Sequence, residues 1–261
     1  MPHTRNRIKI GRSFGDASES YDVCARLQRF TGKHMLPWLP EKKDLIVLDL
    51  GCGTGFFSEL LATRYDQVLG ADISFKMLDY AKKNRTGNIN WTQADAFKLP
   101  YQTASIDVVY SNLMIQWCEP IDKALAEIMR VIKPGGIFVV STLIDGTLHE
   151  LKSSWAQVDD DKHVIDFHSE KELNAIFNSG SAKKINHFRK DIVLEYENVL
   201  HLATELKGLG ANQVPKKLSK GLAGKDKWKK MSKNYQDFQE PSGIYPATYS
   251  VYSAVMIKLT S

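Results

Sequence analysis

The sequence has no apolar run near the ~20 residues that a membrane-spanning helix needs, and its first dozen residues hold no hydrophobic stretch of the kind that directs secretion. A cytoplasmic protein without membrane contact is the expectation. Cysteine is scarce: Cys24, Cys52 and Cys118 are odd in number, far apart and free of any C-x-x-C pairing. That excludes a disulfide framework and offers no zinc-ligand spacing, so no metal is expected. Internal repeats and low-complexity segments are missing too. With 43% hydrophobic and 25% charged residues among 261, the chain can bury the core of one globular domain, which excludes wholesale disorder. Acid is missing from two stretches. Residues 1–13 carry Arg5, Arg7, Lys9 and Arg12 and no carboxylate, and read as a mobile, solvated arm. Residues 207–233 carry nine lysines (Lys207, Lys216, Lys217, Lys220, Lys225, Lys227, Lys229, Lys230 and Lys233) against the single acid Asp226, a local excess of +8 in a chain of net charge +5.

Residues 16–35 read as a helix ended by Pro37-Trp38-Leu39-Pro40. From residue 45 strands and helices alternate: strand 45–50, helix 55–65, strand 67–72, helix 74–84, strands 89–93 and 106–111, helix 119–132 and strand 137–142. Such alternation predicts a parallel sheet with right-handed crossovers. In helix 119–132, Ile121, Ala124, Leu125, Ile128, Met129 and Ile132 form one stripe of helical period, and Pro134-Gly135-Gly136 supplies the next turn. The pattern then changes to a helical stretch at 145–160, a loop at 163–168, a helix at 169–178, a strand at 188–196, and a lysine-rich helical region at 197–240 broken by Gly208, Gly210, Pro215 and the glycines at 221 and 224. A last strand covers 249–259. The expected organisation is α/β. An arm and helix (1–40) precede a Rossmann-like core (41–142), insertions at 143–168 and 197–240 form a helical lid, and 169–196 with 241–261 complete a mostly parallel, seven-stranded sheet.

The run Asp49-Leu50-Gly51-Cys52-Gly53-Thr54-Gly55 joins a strand to a helix start. Glycines let a ligand approach the main chain, and the free N–H groups of a helix start favour an anionic group. A dinucleotide fingerprint would need glycine at 51, 53 and 56, but position 56 is Phe56, which argues against NAD and FAD. The turn instead resembles motif I of the class I S-adenosylmethionine (SAM) methyltransferases. In an open α/β sheet ligands sit at the carboxyl ends of strands, where Asp49, Asp72, Asp95 and Asn112 fall. Asp72 is placed to accept from ribose hydroxyls, the plainer alternative being a helix cap that Ser74 fills equally well. Asp95, in Gln93-Ala94-Asp95-Ala96-Phe97, resembles the motif whose carboxylate accepts from the adenine amino group. The SAM-contacting set implied by this resemblance is Tyr21, Asp49, Gly51, Cys52, Gly53, Asp72, Ile73, Asp95, Ala96, Asn112, Leu113, Gln116 and Trp117.

Residues outside the core carry a narrower resemblance. Phe14, Tyr21-Asp22 and Leu27-Gln28, Ser111-Asn112-Leu113 with Gln116-Trp117-Cys118, Gly146-Thr147-Leu148 with Glu150-Leu151, Leu206-Lys207-Gly208-Leu209-Gly210-Ala211-Asn212, Tyr235 and Thr248-Tyr249 are similar to the malonyl-acyl carrier protein O-methyltransferases (BioC) of biotin synthesis. A departure is His163-Val164-Ile165-Asp166-Phe167, where an asparagine is expected near 165. The resemblance implies transfer of the SAM methyl, leaving S-adenosylhomocysteine, to the free carboxylate of a malonyl thioester. A carboxylate is already ionised near neutrality, so such a reaction needs positioning and water exclusion rather than a general base. Tyr21, His149, His163 and Lys207 are the candidates to orient that carboxylate. The histidines and Trp117 have an ordinary structural reading as packing groups. The lysine run suits an acidic acyl carrier protein; a solvated helix face is the plain alternative, and the near lack of interleaved aromatics, Trp228 apart, disfavours nucleic acid. A monomer is expected. Two other functions stay open: a small-molecule O- or C-methyltransferase, and a SAM-binding partner protein without catalysis.

Overall fold

The computed structural model describes residues 2–179, 182–211 and 222–260, with residues 2–5, 222 and 223 described by backbone alone. The elements are α1 (Pro2–Asp16), α2 (Ser18–Cys24), α3 (Arg26–Met35), β1 (Ile46–Leu50), α4 (Phe56–Ala62), β2 (Gln67–Asp72), α5 (Phe75–Asn84), β3 (Ile89–Gln93), β4 (Ile106–Asn112), α6 (Ile121–Val131), β5 (Ile132–Leu143), α7 (His149–Ala156), α8 (Glu170–Phe177), β6 (Ala182–Tyr196), α9 (Val199–Gly208), α10 (Leu222–Asn234) and β7 (Tyr245–Lys258). The strands form one seven-stranded sheet in the order β3-β2-β1-β4-β5-β7-β6. Pairing is parallel from β3 through β5, and β7 runs antiparallel to both its neighbours.

Alternation along each strand sorts the core into two layers. Leu48, Leu50, Val109, Phe138 and Val140 face α6 and α8, meeting the Ile121 to Met129 stripe together with Leu173 and Phe177. Val47, Val68, Val108, Tyr110 and Val139 face the other way, against Met35 of α3 and Phe57 and Leu61 of α4. Both faces of the central strands are therefore covered, as parallel sheets require. Ser74 caps α5, and Ser169 with Glu172 makes a capping box at α8, satisfying helix N–H groups that would otherwise lack partners.

Two expectations for the N-terminal region are corrected. From Pro2 onward the arm expected at 1–13 is part of helix α1, because its face bearing Ile10, Gly11 and Phe14 closes over a cavity at the strand ends and Arg7 finds a carboxylate partner in Asp95. The single helix at 16–35 is two, α2 and α3, broken at buried Ala25, whose φ/ψ of −83°/40° leaves the helical region. The break lets α2 turn toward the glycine loop. There Asp22 accepts from Thr54 Oγ1 at 2.6 Å and pairs with Arg85. The Pro134-Gly135-Gly136 turn lies within β5, where the pairing with β4 slips between Ile106 and Val108.

A third apolar cluster gathers the insertions. Leu148 and Leu151 join Val164, Tyr196, Val199, Leu202, Met231 and Tyr235 beside Leu113 at the end of β4. Buried Glu150 accepts from Thr248 N at 3.0 Å and thereby ties α7 to β7. The lysines at 216, 217 and 220, with Asn212, Pro215 and Gly221, lie outside the described residues.

Gly32 marks a close approach of α3 to α4, since a Cβ there would overlap the buried Phe57 ring. Mid-helix glycine ordinarily costs stability relative to alanine; here the sign reverses. Gly32→Ala is expected to lower unfolding free energy by about 1–3 kcal/mol in chemical denaturation, the cost typical of overpacking, and a stabilised variant would disprove this packing account.

Candidate active site

Strand order reverses between β1 and β4, and the carboxyl ends of these strands open into a cavity of ≈ 100 Å³. Gly51, Gly53, Asp72 and Ile73 line it from the turns after β1 and β2, and Asp95 and Ala96 line it from the turn after β3. Asn112, Leu113 and Trp117 close it from β4, and Tyr21 with Phe14 closes it from the N-terminal helices. Asp49 and Cys52 lie in an adjoining recess that shares Tyr21, Gly51 and Asn112 with this cavity.

The glycine turn is held by Asp72, whose Oδ2 accepts from Gly53 N at 2.9 Å and whose Oδ1 accepts from Ser74 N at 2.8 Å. Ser74 Oγ accepts from Met77 N, so Asp72 and Ser74 split the alternatives: serine caps the helix and the aspartate stays at the cavity wall. Gly51 (φ 76°) and Gly53 (φ 54°) are left-handed, which a side chain resists. A Cβ on Gly51 would strike Met114, whereas one on Gly53 would enter open space with Tyr21 Cε1 3.9 Å away as its nearest neighbour. Gly53 thus keeps a cradle free. Burial raises the Asp72 carboxyl above its ordinary range, and burial raises Asp49 to about 7 despite the 2.6 Å hydrogen bond it accepts from Ser58 Oγ. The Cys52 thiol is likewise pushed up by burial and stays protonated near neutrality.

Other cavity residues are already engaged. Asn112 Oδ1 accepts from Thr31 Oγ1 at 2.8 Å and Ser141 Oγ at 2.7 Å, and its Nδ2 donates to Gln28 O at 2.8 Å. Leu113 is held at φ 51° by two bonds from its N–H to Ser141, a strained backbone of the kind found at functional sites. Asp95 pairs with Arg7, a residue that sequence reasoning assigned to a mobile arm. The signal was present, because Arg7, Ile10, Gly11 and Phe14 follow the i, i+3, i+4, i+7 rule and all line the cavity.

A second cavity, ≈ 510 Å³, lies under the insertions and shares Phe14, Tyr21, Leu113 and Trp117 with the first. Trp117 packs edge-on against Phe14 at 5.3 Å, and Gln116 on this wall donates to Leu113 O at 2.8 Å. Burial first, then the carboxylates of Asp72, Asp22 and Asp49, drive the Tyr21 phenol far above its ordinary range, so it stays a hydrogen-bond donor. Lys207 and His163 line this cavity. His163 stacks on Trp155 at 3.6 Å and contacts Asp159 Oδ1 through Nε2 at 2.7 Å. Asp159, Asp161 and His163 cluster closely, with Lys227 Nζ 2.7 Å from Asp159 and 3.7 Å from Asp161. His149, in contrast, lines neither cavity; its side chain is 52% exposed, 3.6 Å from Glu150 and edge-on to Phe238.

Asp49 makes the ligand-free protein pH-sensitive. Its folded-state pKa is raised, so the stability it contributes is complete below the ordinary carboxylate range and is lost as pH rises through about 7. Melting curves of the ligand-free protein between pH 5.5 and 8 are expected to fall with pH, and Asp49→Asn to flatten part of that fall. Parallel curves for the two proteins would refute the assignment.

Comparison with known proteins places this geometry. The methyltransferase-domain family matches residues 48–140, and the YcgJ protein of Bacillus subtilis shares the fold, with a TM-score of 0.59 and 18% identity covering 89% of this chain and 100% of that one. The malonyl-[acyl-carrier protein] O-methyltransferase of Yersinia pestis is 33% identical over 98% of this chain and 94% of its own length. The biotin biosynthesis bifunctional protein BioHC of Cellvibrio japonicus is 37% identical over 97% of this chain, which spans 50% of that longer protein. A kept-open glycine cradle, the buried Asp49 and half-buried Asp72 carboxylates and the Gln28 Oε1 acceptor, buried without a partner among the described residues, suit the cationic, hydroxyl-bearing SAM molecule. The chain belongs to the SAM-dependent malonyl-[acyl-carrier protein] O-methyltransferase family.

Proposed function

We propose that this protein methylates the free carboxylate of a malonyl group carried on an acidic acyl carrier protein, acting as a monomer in the cytoplasm. The observation that carries the reading is the junction of the two cavities at Phe14, Tyr21, Leu113 and Trp117. Bound SAM supplies an activated methyl on a sulfonium. Asp72 would receive its ribose hydroxyls, and the recess beside Asp49 and Gln28 its amino-acid end. The larger cavity, mostly apolar and of ≈ 510 Å³, has room for a thioester-bearing arm as well as the malonyl group. No described side chain has to remove a proton, because the acceptor carboxylate is ionised near neutrality. Alignment and dehydration carry the rate, and effective molarity alone can supply ~7–11 kcal/mol.

Tyr21 stands at the junction as a protonated donor, suited to hold one acceptor oxygen. Lys207 on the same cavity brings a positive charge for which no ion pair occurs among the described residues. His163, committed to Trp155 and Asp159, acts on the shape of the cavity wall. Beyond the mouth, Lys225, Lys229, Lys230 and Lys233 are exposed on α10, while Lys227 is neutralised by Asp159 and Asp161. The exposed four favour encounter with an acidic carrier in a salt-dependent manner.

The test is transfer of labelled methyl from SAM to malonyl-acyl carrier protein, malonyl-CoA and free malonate at low and high salt. Fast, salt-sensitive methylation of the carrier-bound substrate is expected; SAM binding without product from any malonyl donor would overturn the substrate assignment. Charge reversal of Lys229 and Lys230 is expected to lower kcat/KM for the carrier-bound substrate about tenfold, within the range of electrostatic steering, and to leave malonyl-pantetheine unaffected. Tyr21→Phe is expected to lower kcat by about tenfold to a hundredfold, the value of a hydrogen bond to a charged group, with SAM affinity nearly unchanged in calorimetry.

A further inference from the structure

Arg7 lies one turn before Gly11 on α1 and faces the smaller cavity. Its Nε and Nη2 donate to one oxygen of Asp95 at 3.2 and 3.1 Å, and its guanidinium sits 3.9 Å from the centroid of the Phe97 ring. The two side chains are 14% and 28% exposed, so the pair is screened less than a surface ion pair. The other Asp95 oxygen accepts from Phe97 N at 3.1 Å. A carboxylate oxygen has two lone-pair sites; that oxygen therefore keeps one acceptor site, while Arg7 and Phe97 N fix the group in place.

The rest of α1 is anchored at its other end. Ser13 Oγ donates to Gly210 O at 3.1 Å, just past α9, and Asp16 pairs with Lys76 at 2.6 Å. Gly11 fits against Ile73, where a Cβ would come within 2.8 Å of Cγ2. Near its N-terminal end, the ion pair of Arg7 with Asp95 ties the helix down across the cavity. Anything that steadies Asp95 from the cavity side also steadies Arg7, and with it the helix.

We propose that Arg7 is a positioning residue for the adenosyl half of the cofactor: it holds Asp95 with an acceptor site left for the adenine amino group, and so clamps α1 over bound SAM. The proposal rests on Asp95 facing adenine. Bound cofactor and clamp reinforce each other, so loss of Arg7 weakens affinity and speeds cofactor release without touching the acceptor cavity.

The experiment is calorimetric titration of the whole protein with SAM and S-adenosylhomocysteine, for the native chain, Arg7→Met, Arg7→Lys, Asp95→Asn and the Arg7→Met/Asp95→Asn double variant, with ligand-free melting temperatures to monitor folding. Arg7→Met is expected to weaken binding about tenfold, as loss of a charge-assisted hydrogen bond does. Arg7→Lys should fall between, because an ammonium cannot reproduce the two-nitrogen contact and the stacking. The double variant should bind within about twofold of Asp95→Asn, since Arg7 acts through Asp95. An inosine analogue of S-adenosylhomocysteine, which lacks the amino group, should bind native and Arg7→Met proteins alike. Additive losses, or equal weakening toward the analogue, would make Arg7 merely structural. Weakening by Asp95→Asn but not by either Arg7 variant overturns the Arg7 role alone; equal affinity of the native protein for S-adenosylhomocysteine and its inosine analogue overturns the adenine assignment and this proposal with it.

Discussion

Two backbone N–H groups, those of Gly53 and Ser74, converge on the carboxylate of Asp72, and the site depends on that convergence. The bonds fasten the turn after β1 to the turn after β2, where left-handed glycines leave the main chain open to a ligand. Holding a carboxylate there has an electrostatic cost. Burial raises the pKa of both Asp72 and Asp49, so the ligand-free site is destabilised in its charged form and a bound cation relieves it. The carboxyl ends of β1 and β2 therefore suit a positively charged ligand.

The second constraint is the attachment of α2 to that same turn. Asp22 takes the Thr54 hydroxyl and the Arg85 guanidinium, and Arg85 Nε also donates to Thr54 O at 2.9 Å. Tyr21, next to Asp22, is thereby carried to the wall between the two cavities. The break at Ala25 permits this turn, and α3 beyond it returns to cover the sheet. One short helix thus links the glycine turn and the larger cavity, which explains why a tyrosine far from the glycine motif in sequence meets it in space.

The insertions depend on each other as the core layers do. Neither α7 nor α9 and α10 could bury its apolar face alone; together with the ends of β6 and β7 they form one cluster. Polar ties at its rim, Glu150 to Thr248 and Lys227 to Asp159, join segments distant in sequence. The lysine at 227 illustrates how a charge run divides on folding: Lys225, Lys229, Lys230 and Lys233 stay exposed, while it pairs with Asp159 and Asp161.

The core was legible in the sequence because its signals are local. Strand β2 falls where the apolar pattern placed it, the α6 stripe follows the helical period, and the glycine turn declares itself by spacing. Of the residues expected to contact the cofactor between Gly51 and Trp117, all but Gln116 line one cavity and its recess, because each follows a strand end and parallel topology brings strand ends together; Gln116 lines only the larger cavity. What the sequence did not disclose depended on partners far along the chain. Arg7 looked like part of a solvated arm until Asp95 and Phe97 stood beside it, and the kink at Ala25 follows from contacts of Asp22 rather than from any helix-breaking residue. His149 and His163 are alike in the sequence, yet packing turned one outward and stacked the other on a cavity-wall tryptophan. By itself, then, the sequence determined the sheet, its cofactor turn and its family, through periodicity and local backbone preference; the tertiary structure alone decided which charges pair, which helices bend and which side chains reach the cavity, because those outcomes are set by long-range packing and desolvation.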